Sequence, residues 1–398
     1  MPNKEALKQT IILAKALGCK INNPFWFDRK NYFYHDLAKG YQISQHFKPI
    51  GVDGKLQNFA LWDIHLEEDT GKSLHFKEKT LVDFNRSGVP LVEIVSAPVM
   101  HSVEEAKAFC KRIQQLVRYL GFSDCDMEKG SMRLEANVSV QRLPARKCYA
   151  LGVAGGKGSK VKKLEEKDLP NYRVEVKNIN SFRFLERAIN YEIKRQTEIL
   201  QKGETPRQET RGFDISKGET FSQRGKETAK DYRYFPEPDL PAFCLTEKEL
   251  SDLKPKDEDL PWKMEEKIIA LEIRNDYAQI ISQNKKTALL FLKFISSHSC
   301  DPAKAAKVFV NKKVNEKTDE KLLTQLMEKE VNRFSIVDEG ELKKIIAEVI
   351  AANPKPVADY KSGKQAAIGF LIGQVQRKLA GKADPNLTRK LLEDFLKN

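Results

Sequence analysis

The chain has 398 residues, 40% of them hydrophobic and 31% charged, a size that allows two or three domains of about 100–200 residues each. No segment reaches the ~20 apolar residues of a membrane helix or carries a secretory signal core, which excludes a membrane protein and favours a bacterial cytoplasm or an organelle matrix. The net charge of +13 favours a polyanionic partner, because basic side chains release the counterions of phosphates; solubility is the alternative explanation.

Residues 42–180 carry mainly the two-residue periodicity of β-strands. Alternate residues of a strand point to opposite faces, so each predicted strand buries one face and keeps a polar face available for chemistry. The apolar positions of the three clearest strands are Leu56, Ala60, Trp62, Ile64 and Leu66; Met132, Leu134, Ala136, Val138 and Val140; and Tyr172, Val174 and Val176.

Two helices interrupt these strands. The first is predicted to begin at a capping box formed by Ser102 and Glu105 and to end at Gly121. The second is predicted to run from near Ser181 to Gly203. The segment 151–170 between strands is rich in glycine and lysine and is interpreted as an exposed insertion or loop.

Beyond the proline-rich segment 236–241, strand signals vanish and helical periodicity dominates. The helices include an apolar stretch at 288–295 and two amphipathic segments at 342–349 and 368–375. The last helix is predicted to have Asp384 as its N-cap and proline at its first position. This order of elements predicts an α+β fold in which a domain of mixed sheets precedes all-helical domains.

The segment 65–72 places three consecutive carboxylates, residues 67–69, at the end of a predicted strand. In the predicted strand phase, Glu68 continues the apolar face. Glu67 instead points with Asp63 and His65. A carboxylate at the end of an apolar face is a candidate ligand for a hard cation, and an acidic turn closed by glycine is the alternative.

A second candidate is Glu93, which shares a strand face with Leu91 and Val95. Because burial in an apolar face penalises a bare charge, this glutamate is expected to be paired, protonated or bound to a metal. A salt bridge to Arg86 is the alternative to a metal.

The polar faces of the two later strands combine cations with carboxylates, which would suit a nucleotide phosphate and its Mg²⁺, or an ordinary solvated sheet face. No P-loop, nucleophile elbow, Cys-His arrangement, zinc pattern or dinucleotide fingerprint occurs in the sequence. The residues of these polar faces are Arg133, Glu135, Asn137, Glu175, Lys177 and Asn178.

Longer strings follow one another along nearly the whole chain: FDRKNYFY (27–34), GYQISQ (40–45), EED (67–69), VDFNRSGVPL (82–91), VEVKNINS (174–181), DYRYFPEP (231–238), GFLIGQV (369–375) and GKADP (381–385). In these strings and in their order the chain resembles the GatB/GatE family of tRNA-dependent amidotransferases. The resemblance implies a cradle-like domain at 1–245, a helical domain at 246–330 and a small helical tail domain at 331–398 that contacts tRNA.

The resemblance also implies a reaction of two steps. ATP phosphorylates the side-chain carboxylate of Glu-tRNA(Gln) or Asp-tRNA(Asn), and ammonia then displaces the phosphate to give the amide. ATP and Mg²⁺ are the implied cofactors. The implied partners are mischarged tRNA, a glutaminase subunit that delivers ammonia from glutamine through a channel, and a small third subunit that completes a heterotrimer.

The site residues follow from the matching motifs. Catalysis and Mg²⁺ binding are expected at Glu68 and Glu93, and the ammonia channel is expected near Lys30. The expected nucleotide contacts are Arg133, Glu135 and Lys177, and the expected tRNA contacts in the tail are Gly369, Gly373 and Lys382.

The sequence also departs from the family pattern. The resemblance implies that the chain starts partway into the family's first domain, without a counterpart of the opening strand whose glutamate and histidine are expected to help hold the metal. Glu135, Leu134 and His35 stand where the family usually has aspartate, cysteine and proline. Two hypotheses therefore remain: a true component of an amidotransferase, or a tRNA-binding or scaffold protein that is inactive in transamidation.

Overall fold

The computed structural model describes residues 2–141, 150–151, 169–225, 232–298, 300–331, 339–379 and 383–397. The chain forms two compact units, Met1–Leu260 and Pro261–Asn398. Within the described residues every strand belongs to the first unit, and the second unit is built of helices. The predicted α+β class is therefore confirmed, while the division into three domains stays a prediction.

The first unit contains fifteen described strands and four α-helices. In chain order the strands are β1 (Lys20–Ile21), β2 (Asp28–Asn31), β3 (Tyr41–Ser44), β4 (Gly51–Leu56), β5 (Phe59–Glu68), β6 (Lys72–His75), β7 (Thr80–Asp83), β8 (Pro90–Ser96), β9 (Leu134–Val138), β10 (Val140–Gln141), β11 (Ala150–Leu151), β12 (Val174–Ile179), β13 (Glu209–Asp214), β14 (Glu219–Gly225) and β15 (Phe235–Pro236). The helices are α1 (Lys4–Ala16), α2 (Val103–Leu120), α3 (Phe182–Gln201) and α4 (Glu247–Asp252), followed by a 3₁₀ turn at Asp257–Asp259.

Two four-stranded sheets dominate this unit. One has the order β1-β4-β5-β8 and is antiparallel throughout, and the other has the order β14-β13-β12-β9. In the second sheet β12 and β13 are parallel. The helix α3 connects them and returns the chain to the end of the sheet at which β12 began. A three-stranded sheet β15-β2-β3 and the hairpins β6-β7 and β10-β11 complete the unit.

The core of the second sheet confirms the predicted alternation. Val174 and Val176 are fully buried, and Leu134 and Val138 are at most 7% exposed. The apolar faces of α2 and α3 pack on the same cluster. The opposite face of β9 and β12 therefore remains open, as the sequence predicts.

The first sheet departs from the predicted phase at Trp62. This side chain is 42% exposed, whereas Leu61 is only 2% exposed. The pairing of β5 with β8 shifts between Leu61 and Asp63, and such a bulge inserts a residue that reverses the alternation. The expectation that Trp62 lies on the buried face is therefore wrong, although Ile64 and Leu66 do lie there.

Both helices of the strand region have the predicted caps. The Ser102 hydroxyl accepts from the backbone N–H of Glu105, and Gly121 ends α2 with a left-handed φ of 74°. The Glu105 carboxylate accepts from the backbone N–H of His101 at 2.6 Å, so the second half of the predicted capping box lies one residue earlier. α3 has Ser181 as its N-cap. Most of the predicted insertion, residues 152–168, lies outside the described residues.

The second unit contains the helices α5 (Pro261–Ile269), α6 (Asn275–Ile281), α7 (Lys285–Ser297), α8 (Pro302–Asn311), α9 (Glu320–Val331), α10 (Glu339–Ala352), α11 (Pro354–Lys361), α12 (Ala366–Lys378) and α13 (Pro385–Lys397). The apolar faces of α10, α12 and α13 share one core. The Asp384 carboxylate accepts from the backbone N–H of Asn386 at 2.7 Å, as expected of the cap of α13. Among the described residues, no helix combines the length and apolar character that a bilayer crossing requires.

Candidate functional site

The register of β5 and β8 creates a polar surface on one side of the first sheet. His65 is paired with Glu93, and Glu67 is paired with Leu91. Residues paired directly across antiparallel strands lie on the same face. Because Ile64 and Leu66 are buried on the opposite face, the side chains of His65, Glu67 and Glu93 share the polar face.

These three side chains form a compact cluster. The His65 Nε2 atom lies 3.5 Å from Glu67 Oε1 and 3.5 Å from Glu93 Oε2, and His65 Nδ1 lies 2.7 Å from Asp63 Oδ1. One ligand atom of each cluster residue lies within 4.8 Å of the others, an arrangement that could hold a metal ion. Two carboxylates and an imidazole oriented by a further carboxylate are typical of metal sites.

The electrostatics of the cluster are strongly coupled. Burial opposes the charge of His65, but hydrogen bonds to Asp63, Glu67 and Glu93 raise its pKa well above the ordinary value. Burial raises the pKa of Glu67, whose side chain is only 5% exposed, and the adjacent Glu93 raises it further. Desolvation opposes ionisation of Glu93, but hydrogen bonds with His65 and Glu67 and the charge of Lys30 lower its pKa. The opposite shifts of His65 and Glu93 both reflect the attraction between a protonated imidazole and the Glu93 carboxylate, whereas the pKa of Glu67 is raised.

Glu68 lies apart from this cluster. It follows Glu67 in β5 and therefore points to the opposite face. Both of its carboxylate oxygens accept hydrogen bonds from Lys39 Nζ, at 2.8 and 2.7 Å. It lines a separate cleft of about 220 Å³, together with Lys39 and Gln42 among others. The structure thus brings Glu93 to a possible metal site and gives Glu68 a lysine partner.

The surroundings of Glu93 differ from those expected. The side chain is 52% exposed, because the face that it shares with Leu91 and Val95 is the polar face of the sheet rather than the buried one. Arg86, the expected salt-bridge partner, contacts Asp69 at 3.1 Å. The charge of Glu93 is instead compensated by His65 and Lys30.

Lys30 lies on β2 beside two aromatic rings. Its Nζ atom is 5.2 Å from the ring centroid of Tyr232 and 5.9 Å from that of Tyr32. The segment that carries Tyr232 is tied to β2, because Arg29 binds Glu237 with two hydrogen bonds of 2.7 and 2.8 Å. The pairing of β2 with β15 therefore holds the sequence-predicted Lys30 where its charge acts on Glu93.

The polar face of the second sheet contributes Glu135 and Lys177. The Lys177 Nζ atom lies 3.3 Å from Glu135 Oε1 and 3.9 Å from Glu175 Oε1. Desolvation raises the pKa of Glu135, Lys177 opposes this, and the charges of Glu175 and Glu93 raise it again. The charge of Glu93 thus contributes to the raised pKa of Glu135, so this predicted nucleotide contact lies within electrostatic range of the carboxylate cluster.

The remaining predicted residues are spread over both units. Arg133, the third predicted nucleotide contact, is hydrogen-bonded to Asp69. Gly369 and Gly373 lie on exposed turns of α12, and a Cβ built on either meets no atom within 4 Å. Lys382 lies outside the described residues. The tRNA contacts of the tail thus stay predictions.

Sequence reasoning selected neither His65 nor Glu67 as a site residue. The predicted strand phase already placed Glu67 with Asp63 and His65, which was the signal available. The missing information was the register that sets His65 opposite Glu93, because pairing between distant strands leaves no trace in local periodicity. Tyr232 was missed for the same reason.

Comparisons with known proteins extend over both units. A family model described as the GatB/GatE catalytic domain matches residues 1–251, and one described as the GatB domain matches residues 272–396. The B subunits of the aspartyl/glutamyl-tRNA(Asn/Gln) amidotransferases of Persephonella marina, Thermus thermophilus and Thermotoga maritima are each 36% identical to the chain. These alignments cover 99%, 100% and 100% of the chain, respectively, and 89% of each relative. The carboxylate cluster lies within the part matched by the catalytic-domain model.

Proposed function

The chain belongs to the GatB/GatE family, and we propose that it is the component of a tRNA-dependent amidotransferase that activates and amidates Glu-tRNA(Gln), Asp-tRNA(Asn) or both. The observation that carries this proposal is the convergence of the His65, Glu67 and Glu93 cluster with Lys30 and the Glu135–Lys177 pair. A surface of carboxylates and cations without a covalent nucleophile suits phosphoryl transfer, which depends mainly on positioning and charge neutralisation.

The proposed reaction has two balanced steps. A carboxylate oxygen of the aminoacyl side chain attacks the γ-phosphorus of ATP, and the bond to the bridging oxygen breaks to release ADP. Ammonia then attacks the acyl carbon, loses a proton, and phosphate leaves with the electrons of the carbon–oxygen bond. The chain's own residues are assigned to binding and orientation: Lys177 to the phosphates, and Lys30 to the side from which ammonia arrives.

The donor set of the cluster fits Mg²⁺. Glu67 and Glu93 offer the carboxylate oxygens that this ion prefers. Asp63, at 2.7 Å from His65 Nδ1, favours the tautomer in which Nε2 is free to act as a ligand. When bound, Mg²⁺ would neutralise charge on the nucleotide phosphates. Glu67 is the preferred partner of Glu93 in this assignment, because Glu68 points to the other face.

The remaining parts of the proposal concern partners. Ammonia would come from the glutaminase subunit, with the small third subunit completing a heterotrimer. The mischarged tRNA would contact the tail through α12, where Gly369 and Gly373 leave the helix backbone open to a close approach. The net charge of +13 supports a nucleic-acid substrate.

The activation step can be tested by itself. The chain assembled with its glutaminase and small partner subunits is given ATP, Mg²⁺ and tRNA but no glutamine or ammonium, and ADP formation is measured. We expect ADP formation with Glu-tRNA(Gln) or Asp-tRNA(Asn), and none with Gln-tRNA(Gln) or Asn-tRNA(Asn). We expect Glu93→Gln to abolish it and Glu186→Gln, a surface variant on α3, to preserve it. ADP formation that ignores the aminoacyl group would refute the proposal.

A further inference from the structure

Two arginines converge on one buried aspartate just beyond the end of β5. The Asp69 side chain is 3% exposed, and its Oδ2 atom lies 3.1 Å from Arg86 Nη2. Arg133 Nη2 donates a hydrogen bond to the same oxygen. The other oxygen, Oδ1, accepts from the backbone N–H of Thr70 at 2.9 Å. Both oxygens of Asp69 therefore have partners, and within the described residues each arginine contacts Asp69 through its Nη2 atom.

The charge of this group is unbalanced. One carboxylate compensates one of the two guanidinium groups, which leaves a net charge of +1. In the part of the chain that the structure describes, Asp69 is the one carboxylate in contact with either Arg86 or Arg133. Each guanidinium has five N–H donors, and the two side chains are 40% and 49% exposed. One arginine would be enough to neutralise Asp69 and to link it to a neighbouring segment. The charge of the second arginine is therefore available to bind an anion.

The backbone around Arg86 leaves room for this arrangement. Gly130 has a φ of +73°, and a Cβ at this position would lie 2.8 Å from Arg86 Nη1. Two backbone hydrogen bonds, Asp69 N to Val89 O at 2.8 Å and Gly88 N to Asp69 O at 2.9 Å, hold the turn that carries Arg86 against the strand end. The guanidinium is therefore positioned before any ligand arrives, which lowers the entropic cost of binding.

Asp69, which both arginines contact, follows the carboxylate cluster along the chain and also lines the cleft of Glu68 and Lys39. His65, Glu67 and Asp69 occupy alternate positions, and the pairing of β5 with β8 continues through the Asp69 hydrogen bonds. At about 3.3 Å per residue, Asp69 follows Glu67 by roughly 6–7 Å along the strand. A polyphosphate held at the cluster by a metal could extend over this distance.

We propose that Arg86 and Arg133 form an anion clamp, held in place by Asp69, that binds the phosphate groups of the nucleotide. The clamp rests on the proposed ATP-dependent function and adds Arg86 to the residues of the site. Planar guanidinium groups match phosphate oxygens with paired hydrogen bonds, which a lysine cannot do. Asp69 acts as a positioning residue, since it orients both guanidinium groups and is itself buried.

The test is the affinity of the chain, assembled with its partner subunits, for ATP and for adenosine in the presence of Mg²⁺. Arg86→Ala is expected to weaken ATP binding about 10- to 100-fold, since a charge-assisted hydrogen bond contributes about 1.5–3 kcal/mol. Arg86→Lys keeps the ion pair with Asp69 and is expected to lose less. Adenosine binding should be unchanged in both variants. Arg274→Ala removes an exposed arginine, paired with the exposed Asp276, and serves as the control for the loss of one positive charge.

Three outcomes would overturn the clamp. ATP affinity of Arg86→Ala equal to that of the wild type would remove Arg86 from the nucleotide site. Equal losses of affinity for ATP and for adenosine would show that Arg86 supports the folded structure and does not contact the phosphates. Weaker tRNA binding with unchanged ATP binding would assign the arginines to a tRNA phosphodiester. If the wild-type complex itself does not bind ATP, the proposed function fails and the clamp fails with it, a result distinct from the other three.

Discussion

Glu67 and Glu68 are neighbours in sequence but lie in different chemical surroundings. Glu67 is almost fully buried beside His65, and Gln42 Nε2 donates to its Oε2 atom at 2.5 Å. Glu68 is 26% exposed on its side chain and is neutralised by Lys39. A buried carboxylate without a full counter-charge gains more from a cation than one that already has a lysine. The distinction between the two glutamates is therefore open to measurement.

A metal-binding experiment separates these neighbours. Glu67→Gln and Glu93→Gln are expected to lower the affinity for Mn²⁺, used as a spectroscopic substitute for Mg²⁺, by at least about 10-fold, the lower end for perturbing even an outer metal contact. Glu68→Gln is the matched control and should bind Mn²⁺ as the wild type does. The measurement is a titration followed by electron paramagnetic resonance. If Glu68→Gln lost as much Mn²⁺ affinity as Glu67→Gln, Glu68 would be a metal ligand, as the family motif implies, and the assignment of Glu67 from the strand register would be contradicted.

Lys30 allows a second test at this scale. Because it is expected near the ammonia channel, Lys30→Ala should reduce glutamine-dependent amidation more than amidation with added ammonium. The exposed Lys55→Ala variant on β4 is the control for a general effect of lost charge. Steady-state rates with each nitrogen donor provide the comparison. Equal losses with both donors would indicate that Lys30 only supports the Tyr32 and Tyr232 rings.

At the scale of elements, a buried polar network joins α3 to β13 and β14. Glu192 is completely buried and contacts Arg195 at 2.9 Å and Arg211 at 3.1 Å. The Thr220 hydroxyl also donates a hydrogen bond to Glu192. The crossover helix is thereby fixed to the strands that follow it, which keeps the sheet of Glu135 and Lys177 in place.

Removal of Glu192 should be costly, because it leaves Glu209 as the one carboxylate that compensates both Arg195 and Arg211 within the described residues. Glu192→Ala is expected to lower the free energy of opening of this sheet by about 3–5 kcal/mol. Glu186→Ala, also on α3, breaks a partly exposed pair with Lys107 of α2 and should cost less than about 1 kcal/mol. Native-state hydrogen exchange of the β13 amides measures both. Equal protection in the two variants would show that the network contributes little.

The elements also show where sequence reasoning succeeds and where it stops. The strict alternation through β9 and β12 was enough to predict their buried and polar faces, because both are regular strands over a single core. Trp62 was assigned to the wrong face, because a bulge adds one residue without changing the composition of the segment. The pairing of Glu93 with His65 could not be predicted. The hairpin β6-β7 separates β5 from β8 in the chain, and the sequence does not give the register in which these two strands pair.

At the scale of the whole molecule, the proposal assigns the reaction to the first compact unit and the tRNA contacts of the tail to the second. The first unit carries all residues of the carboxylate site, and the second carries the exposed glycines of α12. The start of α13 at the Asp384 cap was predictable, because capping is local. The contacts of this unit with tRNA stay predictions.

A charge introduced on α12 tests these contacts without removing a domain. Gly373→Glu fits sterically, since no atom lies within 4 Å of the added Cβ, and its negative charge should weaken tRNA binding about 10-fold at low salt. Gly373→Ala is the matched control and should bind as the wild type, with a helix that is stabilised by about 0.5–1 kcal/mol. Filter binding over a range of salt concentrations provides the readout. Unchanged affinity in Gly373→Glu would exclude this face from the tRNA interface.

The most direct test of the whole account is the amidation of tRNA. The chain, assembled with its glutaminase and small partner subunits, receives mischarged Glu-tRNA(Gln) or Asp-tRNA(Asn), ATP, Mg²⁺ and either glutamine or ammonium. The account predicts amidated tRNA with both nitrogen donors and none without ATP. Retained tRNA binding without amidated product from either donor would contradict it and would support a protein that binds tRNA without modifying it.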